Sequence, residues 1–292
     1  MPQLPATAAA FVGTLPLQES ASQGEIFEYV AGDTLLASSL YANIVLAGLA
    51  ILAFAWLARG LEDPRAKLIV VATMTVPVVS LASYTGLASG LTISILEMPP
   101  GHPAIDGSYV TVGGQEGVVS LWGRYLTWAL STPAILLALG LLAGSNVTKL
   151  LTAIVFDIAM CVTGLAAALT TSSLALRWFW FAMSCAFFVV VLYILLAEWP
   201  ADAARAGTDD IFGTLKYLTV VMWLAYPIVW ALGVEGLALL PLGVTSWAYS
   251  ALDIVAKYIF GFLVVRYVAD EPSGVTAGAD YGATSGFAPA DD

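Results

Sequence analysis

Long apolar runs separated by short polar connections extend along most of the chain. About 20 apolar residues are needed for a helix to cross a bilayer. On that basis we predict seven membrane-spanning helices, at residues 35–58, 67–91, 120–143, 148–171, 176–198, 212–233 and 243–267. The pattern predicts an all-α membrane protein that forms one seven-helix bundle.

The segments outside the bundle are short. We assign residues 1–34 to an N-terminal segment, in which GEIFEYVAGD (24–33) has the helical spacing of a short amphipathic helix on the outer surface. The connection between the second and third spans is long, and its YVTVGG stretch predicts a small hairpin. Residues 35–269 form the predicted transmembrane domain, and residues 270–292, rich in Gly, Ala and Asp, a disordered tail.

Basic residues occur on alternate connections. The first 58 residues, the second-to-third connection and the sixth-to-seventh connection contain no Lys or Arg. The first-to-second, third-to-fourth and fifth-to-sixth connections and the end of the seventh span carry Arg59, Arg65, Lys67, Lys149, Arg205, Lys216 and Arg266. Because basic loops stay in the cytoplasm, we predict that the N-terminus lies outside and the C-terminus inside.

Composition supports this class of protein. The 292 residues are 60% hydrophobic and only 11% charged, and the formal net charge is −11. An acidic exterior suits concentrated salt and argues against nucleic acid as a partner. Cys161 and Cys185 lie within apolar spans, so we expect both to be free, buried thiols.

Four charged residues lie well within the predicted spans: Arg124, Asp157, Asp253 and Lys257. A charge at the bilayer centre costs at least about 2.5 to 3.5 kcal/mol, so each should face the bundle interior and have a partner. We expect Asp157 to form a hydrogen bond between helices. Asp253 and Lys257 lie one helical turn apart, either as an ion pair that locks the seventh helix or as the surroundings of a reactive amine near the midplane.

Aromatic residues occur at the same predicted depth as Lys257. Trp223, Tyr226 and Trp230 share one stripe of the sixth span. Other rings and smaller neighbours at this depth are Trp128, Trp180, Phe181, Met160 and Gly164. Core packing explains any one stripe, but rings from three helices around a lysine predict a slot for a flat, conjugated ligand.

Three stretches carry a family resemblance: RYLTWALSTP (124–133), WLAYPIVW (223–230) and LDIVAKYIFGF (252–262). With them the chain resembles a microbial rhodopsin over nearly all seven spans. The resemblance implies all-trans retinal on Lys257 as a protonated Schiff base, with Asp253 as counterion, isomerised by light to the 13-cis form. It also implies a retinal pocket formed by Trp128, Met160, Gly164, Trp180, Ser184, Trp223, Tyr226 and Trp230. Relatives often have Trp where this chain has Phe181.

The third span indicates the kind of rhodopsin. Proton pumps such as bacteriorhodopsin have Asp at the positions of Thr127 and Ala138. The Thr and Ala side chains of this chain cannot relay a proton. The pattern resembles halorhodopsins, the light-driven chloride pumps. Asp253 would be the only carboxylate near two cations, the protonated Schiff base and Arg124. One buried positive charge would then lack compensation, which is costly, so a bound halide can compensate it. We expect the Ser131 hydroxyl to hold chloride, with Thr127 nearby and Arg124 attracting the anion from the outer side.

The same resemblance implies an ion transporter rather than an enzyme, in the plasma membrane of a halophilic archaeon. Transport of chloride and other halides should run inward, because the re-aimed Schiff-base N–H draws the anion toward the cytoplasm. Lys216 and Thr219 match a halorhodopsin exit pair, although Lys216 is equally explained as a positive-inside anchor. A homotrimer in the lipid bilayer is also implied. His102 is expected to have a surface or loop-fixing role rather than to bind a metal.

Two alternatives remain at this stage. A sensory rhodopsin would signal through a membrane transducer, but such relatives usually keep the Asp that Thr127 replaces. A seven-helix receptor without a covalent ligand would leave Lys257 unexplained. Light-induced current in chloride and in sulfate separates the pump from the sensor, and a visible absorption band with retinal separates both from the receptor.

Overall fold

The computed structural model describes residues 20–272, 274 and 275. Apart from one 3-10 turn, the helices in these residues are α1 (Gln23–Gly32), α2 (Thr34–Leu57), α3 (Pro64–Ala88), α4 (Gly123–Leu142), α5 (Val147–Leu169), α6 (Leu174–Ala206), α7 (Asp209–Leu232) and α8 (Leu242–Asp270). Within the described part of the chain, α2 to α8 are long and apolar enough to cross a membrane. The predicted seven-helix bundle is confirmed, and α6 alone extends well beyond its predicted end.

Side-chain caps fix where several helices begin. Asp33, Asp63, Asn146 and Ser173 each accept a hydrogen bond from a backbone N–H of the first turn. Pro64 follows Asp63 at a position where its missing N–H costs nothing. Because these caps are local, the sequence pattern placed the helix starts closely.

The connection between α3 and α4 contains a three-stranded antiparallel sheet. Its strands β1 (Ser94–Leu96), β2 (Val110–Val112) and β3 (Gln115–Ser120) have the order β1-β3-β2. Both glycines of the two-residue turn between β2 and β3 have positive φ, 56° and 81°, as a tight hairpin requires. The predicted hairpin is therefore confirmed, whereas β1 was not predicted.

Helix α1 packs on this sheet. Its buried Ile26 and Val30 share an apolar cluster with Ile95, Val112 and Val119 of the strands. The Gln23 side chain donates a hydrogen bond to the backbone oxygen of Ser89, at the end of α3. The predicted short helix is thus present, and it covers one end of the bundle together with the sheet.

His102 fixes the loop between β1 and β2, as predicted. The imidazole is buried, and its Nδ1 accepts a hydrogen bond from the backbone N–H of Ala104, which caps the 3-10 helix Pro103–Asp106. Its Nε2 lies 3.3 Å from the backbone oxygen of Glu235. Burial lowers the pKa of His102, and nearby Arg177 acts in the same direction. The neutral ring can satisfy both contacts at once.

Helices α4 and α8 lie deepest in the bundle. About 67% of the most apolar part of α4 is buried, and 56% of that of α8, compared with 28% in α2 and 22% in α6. The helices at the periphery of the bundle expose large apolar side chains such as Leu52, Val71 and Val189. A lipid bilayer accommodates such a surface. The two enclosed helices carry the predicted anion-binding residues and the lysine with its carboxylate partner.

The backbone of α8 departs from regular α-helix where Lys257 lies. A π-helical segment spans Ile254–Ile259, and a second one spans Ile194–Glu198 in α6. Such segments are frequent at functional sites. Neither was predicted, since their occurrence depends on packing rather than on a local sequence signal.

Some predictions concern residues outside the described part of the chain. These are the segment before residue 20 and most of the tail that was predicted to be disordered. Both cysteines are free, as predicted. Cys161 is buried, but Cys185 is only half-buried, so the expectation of two buried thiols is wrong for Cys185.

Candidate functional site

Lys257 and Asp253 form a buried ion pair near the middle of the bundle. The Nζ of Lys257 lies 3.0 Å from Oδ2 of Asp253, and both side chains are almost completely enclosed. The hydroxyls of Tyr84 and Tyr226 donate to the two oxygens of the Asp253 carboxylate at 2.6 Å each. The carboxylate is thus held in its ionised, accepting role by three groups from α3, α7 and α8.

A cavity opens beside the Lys257 amine, and its walls are mainly apolar and aromatic. Most of the predicted pocket residues line it, namely Trp128, Met160, Gly164, Ser184, Trp223, Tyr226, Trp230 and Lys257. Gly164 leaves room for the Ser184 hydroxyl, which would lie 3.4 Å from a Cβ placed at that position. The structure therefore brings residues from α4 to α8 together around the amine.

One predicted pocket residue requires correction. Trp180 is not among the residues that line the cavity, and Phe181 lies there instead, stacked on Trp230 with ring centres 4.5 Å apart. Successive helical residues point about 100° apart, and the rotation of α6 turns Phe181 rather than Trp180 toward the cavity. The other lining residues that the sequence did not reveal are Tyr125, Thr132, Cys161, Cys185, Phe188, Pro227 and Tyr249.

Arg124 is buried on the far side of Tyr84 from Asp253. Its Nη1 donates to the Tyr84 hydroxyl at 3.1 Å, and its Nη2 donates to the Ser246 hydroxyl at 2.7 Å. The guanidinium also lies 5.4 Å from the ring centres of Tyr84 and Tyr249. Its link to Asp253 therefore runs through one tyrosine hydroxyl, and no acidic side chain of the described residues forms a salt bridge with it.

Thr127 and Ser131 are both buried on α4 but differ in their hydrogen bonds. The Thr127 hydroxyl donates to the backbone oxygen of Gly123 at 3.0 Å and contacts the hydroxyl of Ser83. The Ser131 hydroxyl has no hydrogen-bond partner among the described residues. A buried hydroxyl without a partner is uncommon, so Ser131 is the group on this face that is free to donate to a ligand.

Asp157 pairs α5 with α4, as predicted. The Thr132 hydroxyl donates to one oxygen of its carboxylate at 2.7 Å and lies 3.8 Å from the sulfur of Cys161. Thr132 and Cys161 both line the cavity, whereas Asp157 does not. Asp157 is therefore connected to the cavity through Thr132.

A second polar cluster joins the cavity to the outer connections. Glu235 accepts from the hydroxyls of Ser120 at 2.9 Å and Tyr125 at 2.6 Å, and the Tyr125 hydroxyl accepts from Nε1 of Trp230 at 2.8 Å. Arg177, fully buried at the start of α6, donates to the backbone oxygen of Glu235 at 2.8 Å. Our sequence interpretation left Arg177 out of the buried charges because it lies so close to the end of the predicted span.

The two residues of the proposed exit pair, Lys216 and Thr219, have different surroundings. The Thr219 hydroxyl is buried and has no hydrogen-bond partner in the described part of the chain. The Lys216 ammonium lies 4.6 Å from the ring centre of the neighbouring Tyr217, which is 62% exposed. This position fits an anchor at the membrane surface as well as it fits an exit role.

A buried lysine with a carboxylate partner, set in an aromatic cavity of a seven-helix bundle, defines the class of microbial rhodopsins. The family model described as bacteriorhodopsin-like protein matches residues 34–271. The chain belongs to this family.

Within the family, the chain is similar to halorhodopsins. It is 70% identical to the halorhodopsin of Natronomonas pharaonis over 279 residues, which is 94% of this chain and 95% of that protein. It is 63% identical to the halorhodopsin of Halobacterium sp. (strain SG1) over 292 residues, 98% of this chain and 99% of that protein.

Solved structures agree with this likeness. A structure described as halorhodopsin, a light-driven chloride pump, is 56% identical with a TM-score of 0.78, over 84% of this chain and 99% of that chain. A bromide-bound form of halorhodopsin from Halobacterium salinarum has the same identity and TM-score, over 85% and 99% of the two chains.

Proposed function

We propose that this protein is a light-driven inward chloride pump of the plasma membrane, and so a transporter rather than an enzyme. The similar halorhodopsins, including a chloride pump and a bromide-bound form, support this function. The structural observation that best supports this function lies on one face of α4. Thr127 occupies the proton-acceptor position there, and the Ser131 hydroxyl has no hydrogen-bond partner among the described residues.

The family implies a retinal chromophore, and the cavity beside Lys257 fits one. Its walls are mainly aromatic and apolar, and among the described residues that line it Lys257 supplies the amine. Bound to that amine as a protonated Schiff base, all-trans retinal would supply light absorption and isomerisation to the 13-cis form. Trp128, Trp223 and Trp230 would hold the polyene, and Asp253 would act as counterion.

Charge balance explains why an anion is needed. Arg124 and the nitrogen of Lys257 supply two positive charges. Among the described residues, Asp253 is the carboxylate that contacts Lys257 directly and that is linked to Arg124 through the Tyr84 hydroxyl. A buried charge without compensation is costly. Chloride next to the Ser131 hydroxyl would compensate the second positive charge, and Arg124 would attract it electrostatically. Thr127 would have a lesser role, because its hydroxyl already donates to Gly123.

The direction of transport rests on the predicted orientation, with the N-terminus outside. Arg124 lies toward the end of the bundle that α1 and the sheet cover, which we assign to the outside. Thr219 and Lys216 lie toward the opposite end, and Thr219 offers an unpaired hydroxyl to an exiting anion. We also propose the homotrimer that the resemblance implies, which chemical crosslinking in native membranes would test.

Illumination of the retinal-loaded protein in a membrane tests the function directly. A pump should give a sustained inward chloride current in chloride and none in sulfate. Current that persists in sulfate would indicate another transported ion. Absence of current in both salts, with a normal visible band, would instead support the sensory alternative.

A further inference from the structure

The guanidinium of Arg124 is held by a hydroxyl that no sequence motif indicated. Its Nη2 donates to the Ser246 hydroxyl at 2.7 Å, and Ser246 is fully buried on α8. Its other two hydrogen bonds are longer, at 3.1 Å from Nη1 to the Tyr84 hydroxyl and 3.4 Å from Nη2 to the backbone oxygen of Ser246. The shortest hydrogen bond that orients Arg124 is therefore the one to Ser246.

The Ser246 hydroxyl already donates its proton in a hydrogen bond within the protein. Behind Ser246 lies Ser39 of α2, with the two hydroxyl oxygens 2.6 Å apart. The Ser39 hydroxyl donates to the backbone oxygen of Leu36 at 2.8 Å, so the proton between the two serines comes from Ser246. A hydroxyl has one proton and two lone pairs. Ser246 therefore presents a lone pair to Arg124 and keeps no proton for an anion.

This arrangement differs from that of Ser131. The Ser131 hydroxyl is equally buried but has no partner among the described residues, so it can donate to a halide. The two serines thus have opposite capacities: one can bind an anion, and the other can only accept from a cation. The difference arises because Ser39 accepts the proton of Ser246, whereas no described residue accepts the proton of Ser131.

We propose that Ser246 is a positioning residue for the anion site, which orients Arg124 and does not bind the anion. The proposal rests on the proposed chloride function. The chain from Arg124 through Ser246 and Ser39 to Leu36 connects α4, α8 and α2, and it fixes a long side chain before the anion arrives. Such preorganisation lowers the entropy cost of binding.

The test is a chloride titration of the visible absorption band in the retinal-loaded protein, with wild type and Ser246→Ala in parallel. Loss of a hydrogen bond to a charged group should weaken chloride affinity by about tenfold. Light-driven current at saturating chloride should remain that of wild type, because the anion-binding groups are intact. Ser246→Thr, which keeps a hydroxyl, should restore most of the affinity.

The matched control is Ser250→Ala, one turn further along α8. Its hydroxyl donates to the backbone oxygen of Ser39 at 3.1 Å and has no contact with Arg124, so chloride affinity should not change. Ser39→Ala provides an independent variant, because it frees the Ser246 proton while leaving the lone pair. It should weaken affinity by only about twofold to threefold through lost preorganisation.

Two results would overturn the proposal while leaving the chloride function intact. One is wild-type affinity in both Ser246→Ala and Ser39→Ala. The other is an equal loss of affinity in Ser246→Ala and Ser250→Ala, which would indicate a packing role. If wild type itself shows no chloride-dependent band shift, the proposed function fails, and the positioning role fails with it.

Discussion

Replacement of Ser131 by Ala should separate anion binding from stability. The hydroxyl is completely buried and has no hydrogen-bond partner in the described part of the chain, so its removal breaks no bond within the protein. If it donates to chloride, its loss costs about 1.5 to 3 kcal/mol, the range for hydrogen bonds to charged groups. At 1.4 kcal/mol for each factor of ten, chloride should bind about 10 to 150 times more weakly.

Two measurements on the same variant check this expectation. Titration of the visible band with chloride gives the affinity, and thermal unfolding with and without chloride gives the stability. Because a ligand stabilises the native state according to its affinity, the stabilisation by chloride should shrink in Ser131→Ala. In chloride-free sulfate the variant should unfold at the wild-type temperature.

The control variant is Thr163→Ala. It deletes a half-buried hydroxyl on α5 that donates to the backbone oxygen of Ala159 at 2.7 Å and does not line the cavity. Its chloride affinity should equal that of wild type. The reasoning would be refuted if Ser131→Ala bound chloride within twofold of wild type, or if it were destabilised equally in both salts.

Three further substitutions test other parts of the site. Arg124→Ala should abolish measurable chloride affinity, because it removes the cation that attracts the anion; a band shift on chloride titration that survives would contradict this role. Thr127→Asp should weaken halide binding and produce outward proton transport, since a fixed carboxylate replaces the mobile anion; unchanged chloride transport in illuminated vesicles would count against the site. Lys257→Ala should form no visible band with all-trans retinal, and a normal band in that variant would exclude the covalent link.

Predictions based on local signals agreed with the structure. Membrane helices follow from apolar length, and the predicted spans begin within a few residues of the observed helix starts. The glycine turn of the outer hairpin follows from its need for positive φ. The pairing of Asp253 with Lys257 follows from spacing on one helix, and it remained intact although the backbone there is π-helical.

Predictions that required knowledge of neighbouring helices were less complete. The choice between Trp180 and Phe181 depends on how α6 is rotated, which alternating large rings in the sequence do not reveal. Tyr84 has no motif in α3, yet its hydroxyl connects Arg124 to Asp253. Arg177 lies at a helix end, and only the packed connections show that it is buried.

The sequence alone determined the seven spans, the lysine with its carboxylate and the missing proton acceptor at Thr127, because these depend on residue type and spacing within single helices. The tertiary structure alone decided which of the described hydroxyls lack a hydrogen-bond partner and which already donate their proton. Hydrogen bonds between helices depend on how the helices pack against one another. In the described part of the chain Ser131 has no partner and Ser246 already donates its proton, and neither fact can be read from one helix by itself.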